Sequence, residues 1–136
     1  MREILFKAKR IDNGEWVEGY YVKTGEASYI VVPYSQADIS GAEGSTIEVD
    51  ANTICQYTGL KDKNGNKIWE NDVVEGLFLY GAKVSAIVAF ENGAFGLKWS
   101  RGNVEEFSQF TSICNVSFEV IGNIFDNPEL LEGGAE

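Results

Sequence analysis

Short runs in which apolar and polar residues alternate, separated by turn-forming residues, recur along the whole chain. Glu3–Arg10, for example, places Ile4, Phe6 and Ala8 on one face. Such alternation is typical of a strand with one buried face. No stretch keeps a helical period over three turns, and the chain has 15 Gly but only 2 Pro. The pattern predicts an all-β fold.

Turn signals set the bounds of the predicted strands. The strands are Glu3–Arg10, Trp16–Lys23, Ser28–Pro33, Thr46–Val49, Ile54–Tyr57, Asp72–Tyr80, Lys83–Glu91, Ala94–Ser100, Asn103–Phe110 and Phe118–Phe125. Asn-Gly pairs at 13–14, 64–65 and 92–93 predict tight turns, the first of them a type I′ hairpin with two positive φ values. Asp50 is expected to cap a single helical turn. Tyr34–Ser45 is expected to be a loop and the most mobile segment.

Sequential hairpins with short connections are what a small barrel needs to protect its sheet edges. We therefore predict an N-terminal β-meander at residues 1–57, packed on an SH3-like small β-barrel at residues 58–136 that ends in a short tail. One continuous pseudo-barrel is the alternative. A length of 136 residues suits one compact unit of this kind.

Composition indicates a folded and soluble protein. Apolar residues make up 44% of the chain and aromatic residues 12%, which is enough for a core. The apolar runs are too short to cross a bilayer, and the charged N-terminus has no apolar segment after it. We expect a cytoplasmic protein. Cys55 and Cys114 stand in apolar strand-like contexts without C-x-x-C spacing, so buried thiols are favoured over a disulfide.

The sequence contains no histidine, which removes His-activated nucleophiles, His general bases and His metal ligands. Glu70, Asp72 and Glu75 form the carboxylate group best placed for acid–base chemistry, but Asp72 is expected to cap a turn instead. Asp62–Asn66 has oxygen ligands at alternate positions, as in a calcium loop. Val73 occupies the twelfth position where an EF-hand needs Glu, so a plain hairpin turn is predicted. We expect that the protein is not an enzyme and that it has no cofactor and no metal site.

The net charge of −10 is uneven along the chain. Residues 1–68 hold eight Lys and Arg against ten Asp and Glu, whereas residues 69–136 hold three against eleven. An acidic surface repels phosphate backbones and suits a basic partner, and we place a candidate interaction surface at Glu105 and Glu106. Lys61, Lys63 and Lys67 surround the second Asn-Gly turn and are the alternative surface, for weak binding of nucleic acid.

Aromatic side chains could provide a stacking platform for single-stranded nucleic acid. The candidates are Trp16, Tyr20, Tyr21, Trp69, Trp99 and Phe107. Such platforms lie in basic grooves, and the lysines and arginines form only two small clusters. A role in the core is therefore favoured for these aromatic residues.

Four blocks in order resemble the YopX family of phage and prophage proteins. They are Met1–Ala8, Gln56–Gly65, Ile68–Val74 and Phe118–Leu131. Asn71 departs from the family's usual Gly, although Asn tolerates left-handed φ better than most residues. The resemblance implies a mainly β protein of phage origin in a bacterial host cell, and it implies no catalytic residues.

The leading functional hypothesis is a non-enzymatic interaction module that binds a host or phage protein and could form a homo-oligomer. An acidic DNA mimic that inhibits a host DNA-binding protein is the first alternative. Nucleic-acid binding through the Lys61–Lys67 turn is the second, and the net charge disfavours it.

Overall fold

The computed structural model describes residues 4–32, 46–77, 83–101, 104–109 and 118–130, and it confirms the all-β class. The described residues form eleven strands. The strands are β1 (Phe6–Lys9), β2 (Trp16–Thr24), β3 (Ala27–Val31), β4 (Thr46–Val49), β5 (Cys55–Lys61), β6 (Lys67–Trp69), β7 (Asp72–Leu77), β8 (Lys83–Glu91), β9 (Ala94–Arg101), β10 (Val104–Gln109) and β11 (Phe118–Asn123). None of the helical segments in these ranges has the length and apolarity that a membrane crossing requires.

The chain divides into two compact units, Met1–Tyr57 and Thr58–Glu136. In the first unit the strands lie side by side in the order β4-β3-β2-β1-β5, and β5 continues past Tyr57 to pair with β6. The second unit holds a five-stranded sheet in the order β10-β9-β8-β7-β11. Its closure into an SH3-like barrel, and the packing of one unit on the other, stay predictions.

The sheet of the first unit closes back on itself. β4 pairs with β3 along its length, and Val49 at its end also bridges Arg10 just after β1. Two backbone hydrogen bonds flank this bridge, from the Ile11 amide to the Glu48 carbonyl (3.2 Å) and from the Asp50 amide to the Lys9 carbonyl (2.8 Å). The edge strand β4 therefore contacts the segment just after β1, which protects the free edge of β4 there.

β2 changes its partner strand after Gly19. The first half of β2 pairs with β1, ending at the pair of Phe6 with Gly19, and the second half pairs with β3, starting at Tyr20 and Val31. A Cβ atom on Gly19 would lie 2.3 Å from the Val31 carbonyl oxygen. Only glycine permits so close an approach of β3 to β2.

Each unit has its own core. In the first, Ala8, Ile30 and Val49 are buried with Phe6 and Tyr21 against them. In the second, the buried cluster consists of Ile68, Val74, Ala86, Val88, Leu97 and Phe118. Alternate residues of the strands supply these side chains, as the apolar pattern of the sequence requires.

The Asn-Gly turns differ from one another. Asn92 (φ 53°) and Gly93 (φ 82°) both have positive φ between the paired residues Glu91 and Ala94, which confirms the third hairpin. The type I′ prediction for the first turn is wrong, because Gly14 is positive there (φ 75°) and Asn13 is not. The Asn13 Oδ1 atom instead accepts the Glu15 amide at 2.9 Å. The connection with this Asx turn spans residues 10–15, between the paired residues Lys9 and Trp16.

Other local predictions can be compared directly. Asp50 caps a 3₁₀ helix at Ala51–Thr53, as expected, by accepting the Asn52 amide. The prediction that a strand ends at Tyr57 is wrong, because Gly59 adopts φ 89° within β5 and does not turn the chain. Cys55 is buried, and its Sγ–H group donates to the Thr53 carbonyl oxygen at 3.3 Å. The Tyr34–Ser45 loop and Cys114 lie outside the described residues.

Candidate functional site

Asp62 organises the turn that carries the three candidate lysines. Its Oδ1 atom accepts the backbone amides of Asn64 and Asn66, both at 2.9 Å. Its Oδ2 atom accepts the Val120 amide at 2.9 Å and the Asn66 Nδ2 group at 3.4 Å. The Asp62 residue is only 8% exposed. The carboxylate is therefore the centre of a hydrogen-bonded turn rather than an open ligand.

The electrostatics of Asp62 fit this structural role. Burial acts to raise the pKa of Asp62, but the hydrogen bonds from Val120, Asn66 and Asn64 outweigh it and hold the pKa below its usual value. The predicted hairpin turn is confirmed, with the Gly65 amide donating to the Asp62 carbonyl at 3.0 Å. In the described part of the chain no three His, Cys, Asp or Glu residues gather as a metal site.

The same turn covers one edge of β11. The Lys63 amide donates to the Phe118 carbonyl at 3.1 Å, and the Asp62 carboxylate takes the Val120 amide two residues further along. These contacts occupy backbone groups that β7, on the other side of β11, does not use. Two of the four sequence blocks thus meet at β11, where an exposed edge would invite aggregation.

The block that contains Trp69 and Asp72 forms a second turn. The Asp72 Oδ2 atom accepts the Trp69 amide at 2.8 Å, and Asp72 is 2% exposed, so its predicted capping role is confirmed. Asn71 adopts φ 73°. Its amide donates to the Val88 carbonyl (2.8 Å) and its carbonyl accepts the Ile124 amide (3.0 Å). The left-handed residue therefore ties the turn to two other segments.

Replacing Asn71 should reveal this backbone requirement. Asn71→Gly and Asn71→Ala both remove the amide side chain and differ only in a Cβ atom at a positive φ. We expect the Gly variant to be more stable by about 1 kcal/mol, since a left-handed conformation costs L residues that much. Urea unfolding of the two variants measures the difference. Equal stability, or a more stable Ala variant, would contradict the geometry.

The predicted basic surface is weaker than the sequence suggests. Lys61 and Lys63 are exposed, while Lys67 is half-buried at the start of β6. The Lys63 Nζ atom lies 3.6 Å from the Glu119 Oε1 atom, and both side chains are about half exposed. Ion pairs of this kind contribute little to stability. The three lysines flank the Asp62 turn.

The predicted acidic surface consists of Glu105 and Glu106, and the structure describes the side chain of Glu106 alone. The Glu106 Oε2 atom accepts the Trp99 Nε1–H group at 2.9 Å, and Glu106 is half-buried. Trp99 packs against the core of the second unit, so the Glu106 carboxylate has a structural role. Glu105 lies in β10, and its side chain is outside the described residues. Charge reversal at Glu106 would change stability and binding together.

An exposed apolar surface that the sequence analysis did not single out lies on the first unit. Tyr20 is 54% exposed and Val22 is 40% exposed. They pair across strands with Val31 and Tyr29, and the buried neighbours Ser28 and Ile30 point to the opposite side. We call Tyr20, Val22, Tyr29 and Val31 the outer face. Four apolar residues in adjacent pairs form a contiguous patch, which single exposed residues do not.

The outer face has a basic aromatic flank. Trp16 lies at the start of β2 opposite Lys9. The Nζ atoms of Lys7 and Lys9 lie 4.6 and 5.4 Å from the centre of a Trp16 ring, within the range of cation–π attraction. Of the predicted core aromatics, Trp69 is buried while Tyr20 is not. Trp16 holds two lysines, an arrangement that occupies the ring a nucleic-acid base would need for stacking.

Near the outer face the first unit also has a pocket of about 370 Å³. Its lining includes Glu26, Glu48 and Asp50 from the β3 and β4 side and Lys9 and Arg10 from the β1 side. Ligand-binding pockets in proteins commonly have volumes of roughly 300 to 1,000 Å³. The lining of this pocket therefore carries both positive and negative side chains.

Known proteins resemble this chain over almost its whole length. A family model described as "YopX protein" matches residues 5–132. Among solved structures, protein EF1440 from Enterococcus faecalis is similar, with a TM-score of 0.54 and 25% sequence identity. The match covers 96% of this chain and 99% of that chain. No curated protein matches the chain.

Proposed function

The chain belongs to the YopX family, and on that premise we propose that it is a phage- or prophage-encoded, non-enzymatic module that binds a host or phage protein through the outer face. The exposed pair of Tyr20 and Val22 carries this proposal. Apolar and aromatic residues exposed side by side are typical of protein contact surfaces, where tyrosine is enriched.

The roles of the polar residues support a binding function over catalysis. Asp62 and Asp72, the buried carboxylates of the described residues, accept backbone amides within turns. Glu106 accepts the Trp99 indole N–H. Carboxylates used in this way stabilise the fold, and the family resemblance adds no catalytic residue.

Affinity capture with matched variants tests the proposal. Wild type, Tyr20→Ser/Val22→Ser and Leu60→Ser/Phe90→Ser are immobilised and exposed to bacterial lysate, with and without nuclease treatment. The control pair removes two other exposed apolar residues, 44% and 50% exposed. We expect a protein partner on wild type and on the control, and about tenfold less on Tyr20→Ser/Val22→Ser, because central aromatic contacts dominate binding energy.

Three results would contradict the proposal. The first is equal retention of the partner by both double variants, which would place the contact elsewhere. The second is a signal that depends on nucleic acid and disappears with nuclease. The third is release of the partner by added duplex DNA, which would favour the acidic mimic because DNA does not compete for an apolar contact.

A further inference from the structure

The outer face leads directly into the acidic wall of the pocket. Val22, Tyr29 and Glu48 form one row across β2, β3 and β4, since Val22 pairs with Tyr29 and Tyr29 pairs with Glu48. Directly opposed residues of neighbouring strands point to the same side of a sheet. Glu48 also lines the pocket. A partner segment on the outer face would therefore reach the pocket within one or two residues.

The acidic side chains of the pocket can interact with a charged ligand. Glu26 and Glu48 are exposed, and Asp50 uses its Oδ1 atom to accept the Asn52 amide at 3.0 Å. The Arg10 guanidinium, which also lines the pocket, already binds the Asp12 carboxylate through two hydrogen bonds of 2.9 and 2.7 Å.

Lys9, the second cation in the lining of the pocket, also has contacts of its own. The Lys9 ammonium group lies 5.4 Å from the centre of a Trp16 ring, and the Lys9 amide donates to the Thr53 hydroxyl. With Asp12 balancing Arg10, the carboxylates of the pocket outnumber the remaining cation. The pocket therefore favours a positively charged occupant.

We propose that this pocket receives an arginine or lysine side chain of the protein partner, next to an apolar residue that packs on the outer face. The aliphatic stem of the basic side chain lies along Ala27 and Val49, and its charged end lies beside Glu26 and Glu48. Long basic side chains commonly bury their stems while the charged group meets a carboxylate. This inference rests on the proposed function, and it gives the partner a basic and apolar contact segment.

A blocked tripeptide of sequence leucine-arginine-leucine serves as the probe, with leucine-citrulline-leucine as its uncharged control. Each is titrated into isotope-labelled full-length protein and followed by the amide chemical shifts. We expect the arginine peptide to shift the signals of residues 26–28 and 48–51, with a Kd on the order of millimolar. The citrulline peptide should bind at least about fivefold more weakly.

Charge-neutralising variants locate the contact. Glu26→Gln/Glu48→Gln should reduce affinity for the arginine peptide to that of the citrulline peptide, and Glu18→Gln, an exposed carboxylate outside the pocket, should leave it unchanged. Equal shifts from both peptides, or arginine-specific shifts only at other residues, would overturn the pocket assignment. If Glu26→Gln/Glu48→Gln also captures the lysate partner as wild type does, the pocket fails while the outer face stands. That outcome would appear as loss of the lysate partner by Tyr20→Ser/Val22→Ser but not by Glu26→Gln/Glu48→Gln.

Discussion

Replacing Asp62 by Asn should destabilise the protein by about 2–3 kcal/mol, since buried amides would lose a charged acceptor. The Asp62 carboxylate accepts from Asn64 and Asn66 through one oxygen and from Val120 through the other. An asparagine keeps one of these oxygens and places an NH₂ group at the other. Whichever orientation it takes, at least one backbone N–H then faces a donor. Urea unfolding at neutral pH measures the loss.

The pH dependence gives the Asp62 prediction a second readout. Because the folded state lowers the pKa of Asp62, its contribution to stability is fully present above the unfolded value of about 3.9. That contribution is lost as the pH falls through the lower folded pKa. The gap in stability between wild type and Asp62→Asn should therefore be widest near neutral pH and should narrow below about pH 4.

Asp50→Asn is the matched control for Asp62→Asn. Asp50 also accepts a backbone amide, from Asn52 at 3.0 Å, but as an N-cap, a position where Asn and Asp serve equally well. Its stability should change by no more than about 0.5 kcal/mol. Equal losses in the two variants would show that removal of any acidic charge matters and that the Asp62 hydrogen bonds do not.

Replacing Gly19 by Ala should cost about 3 kcal/mol, at the upper end of the usual penalty for overpacking. The new Cβ would meet the Val31 carbonyl oxygen at 2.3 Å and the Ile30 Cγ2 atom at 2.9 Å. The first of these is backbone, so β3 itself must move away from β2. Movement there also disturbs the bridge that returns β4 to β1. Thermal unfolding followed by circular dichroism measures the change.

Gly25→Ala separates crowding from backbone conformation. Gly25 has φ 60°, and a Cβ atom there would meet nothing within 4 Å. Its cost is therefore only the left-handed strain of about 1 kcal/mol. If Gly25→Ala proves as damaging as Gly19→Ala, the close approach of β2 and β3 does not explain the requirement at Gly19.

The class of the fold and the bounds of several strands could be predicted from local sequence. Lys83–Glu91 is a strand with the predicted bounds, because the apolar–polar alternation and the Asn92-Gly93 turn both indicate a strand that ends at Glu91. The turn at Asn13-Gly14 could not be predicted fully, since Asn13 offers both a positive φ and a side-chain acceptor. The structure uses the acceptor. Gly59 shows that a positive φ can also lie inside a strand.

The candidate surfaces depend on long-range contacts that the sequence does not display. From the sequence alone Glu106 is expected to be a solvated charge, whereas in the structure its carboxylate accepts the Trp99 indole N–H group. Tyr20 and Tyr21 are adjacent and identical, yet Tyr20 is 54% exposed while Tyr21 packs against the core. Only the register with β3, in which Tyr20 lies opposite Val31 and Tyr21 opposite the buried Ile30, decides which of them faces outward.

Under the proposed function, folding stability and partner binding depend on different residues. The Asp62 and Asn71 turns fix β11 and β8 in the second unit, which accounts for their presence in the sequence blocks that resemble the family. The outer face of the first unit carries no such turn and exposes two large side chains.

Titration calorimetry with the captured partner tests this division most directly. The dissociation constant is compared for wild type, for Tyr20→Ser/Val22→Ser, and for Lys61→Ala/Lys63→Ala/Lys67→Ala, which alters the surface of the Asp62 turn. The outer-face variant should bind at least about tenfold more weakly, and the lysine variant should stay within about twofold of wild type. A large loss in the lysine variant with none in the outer-face variant would contradict the account.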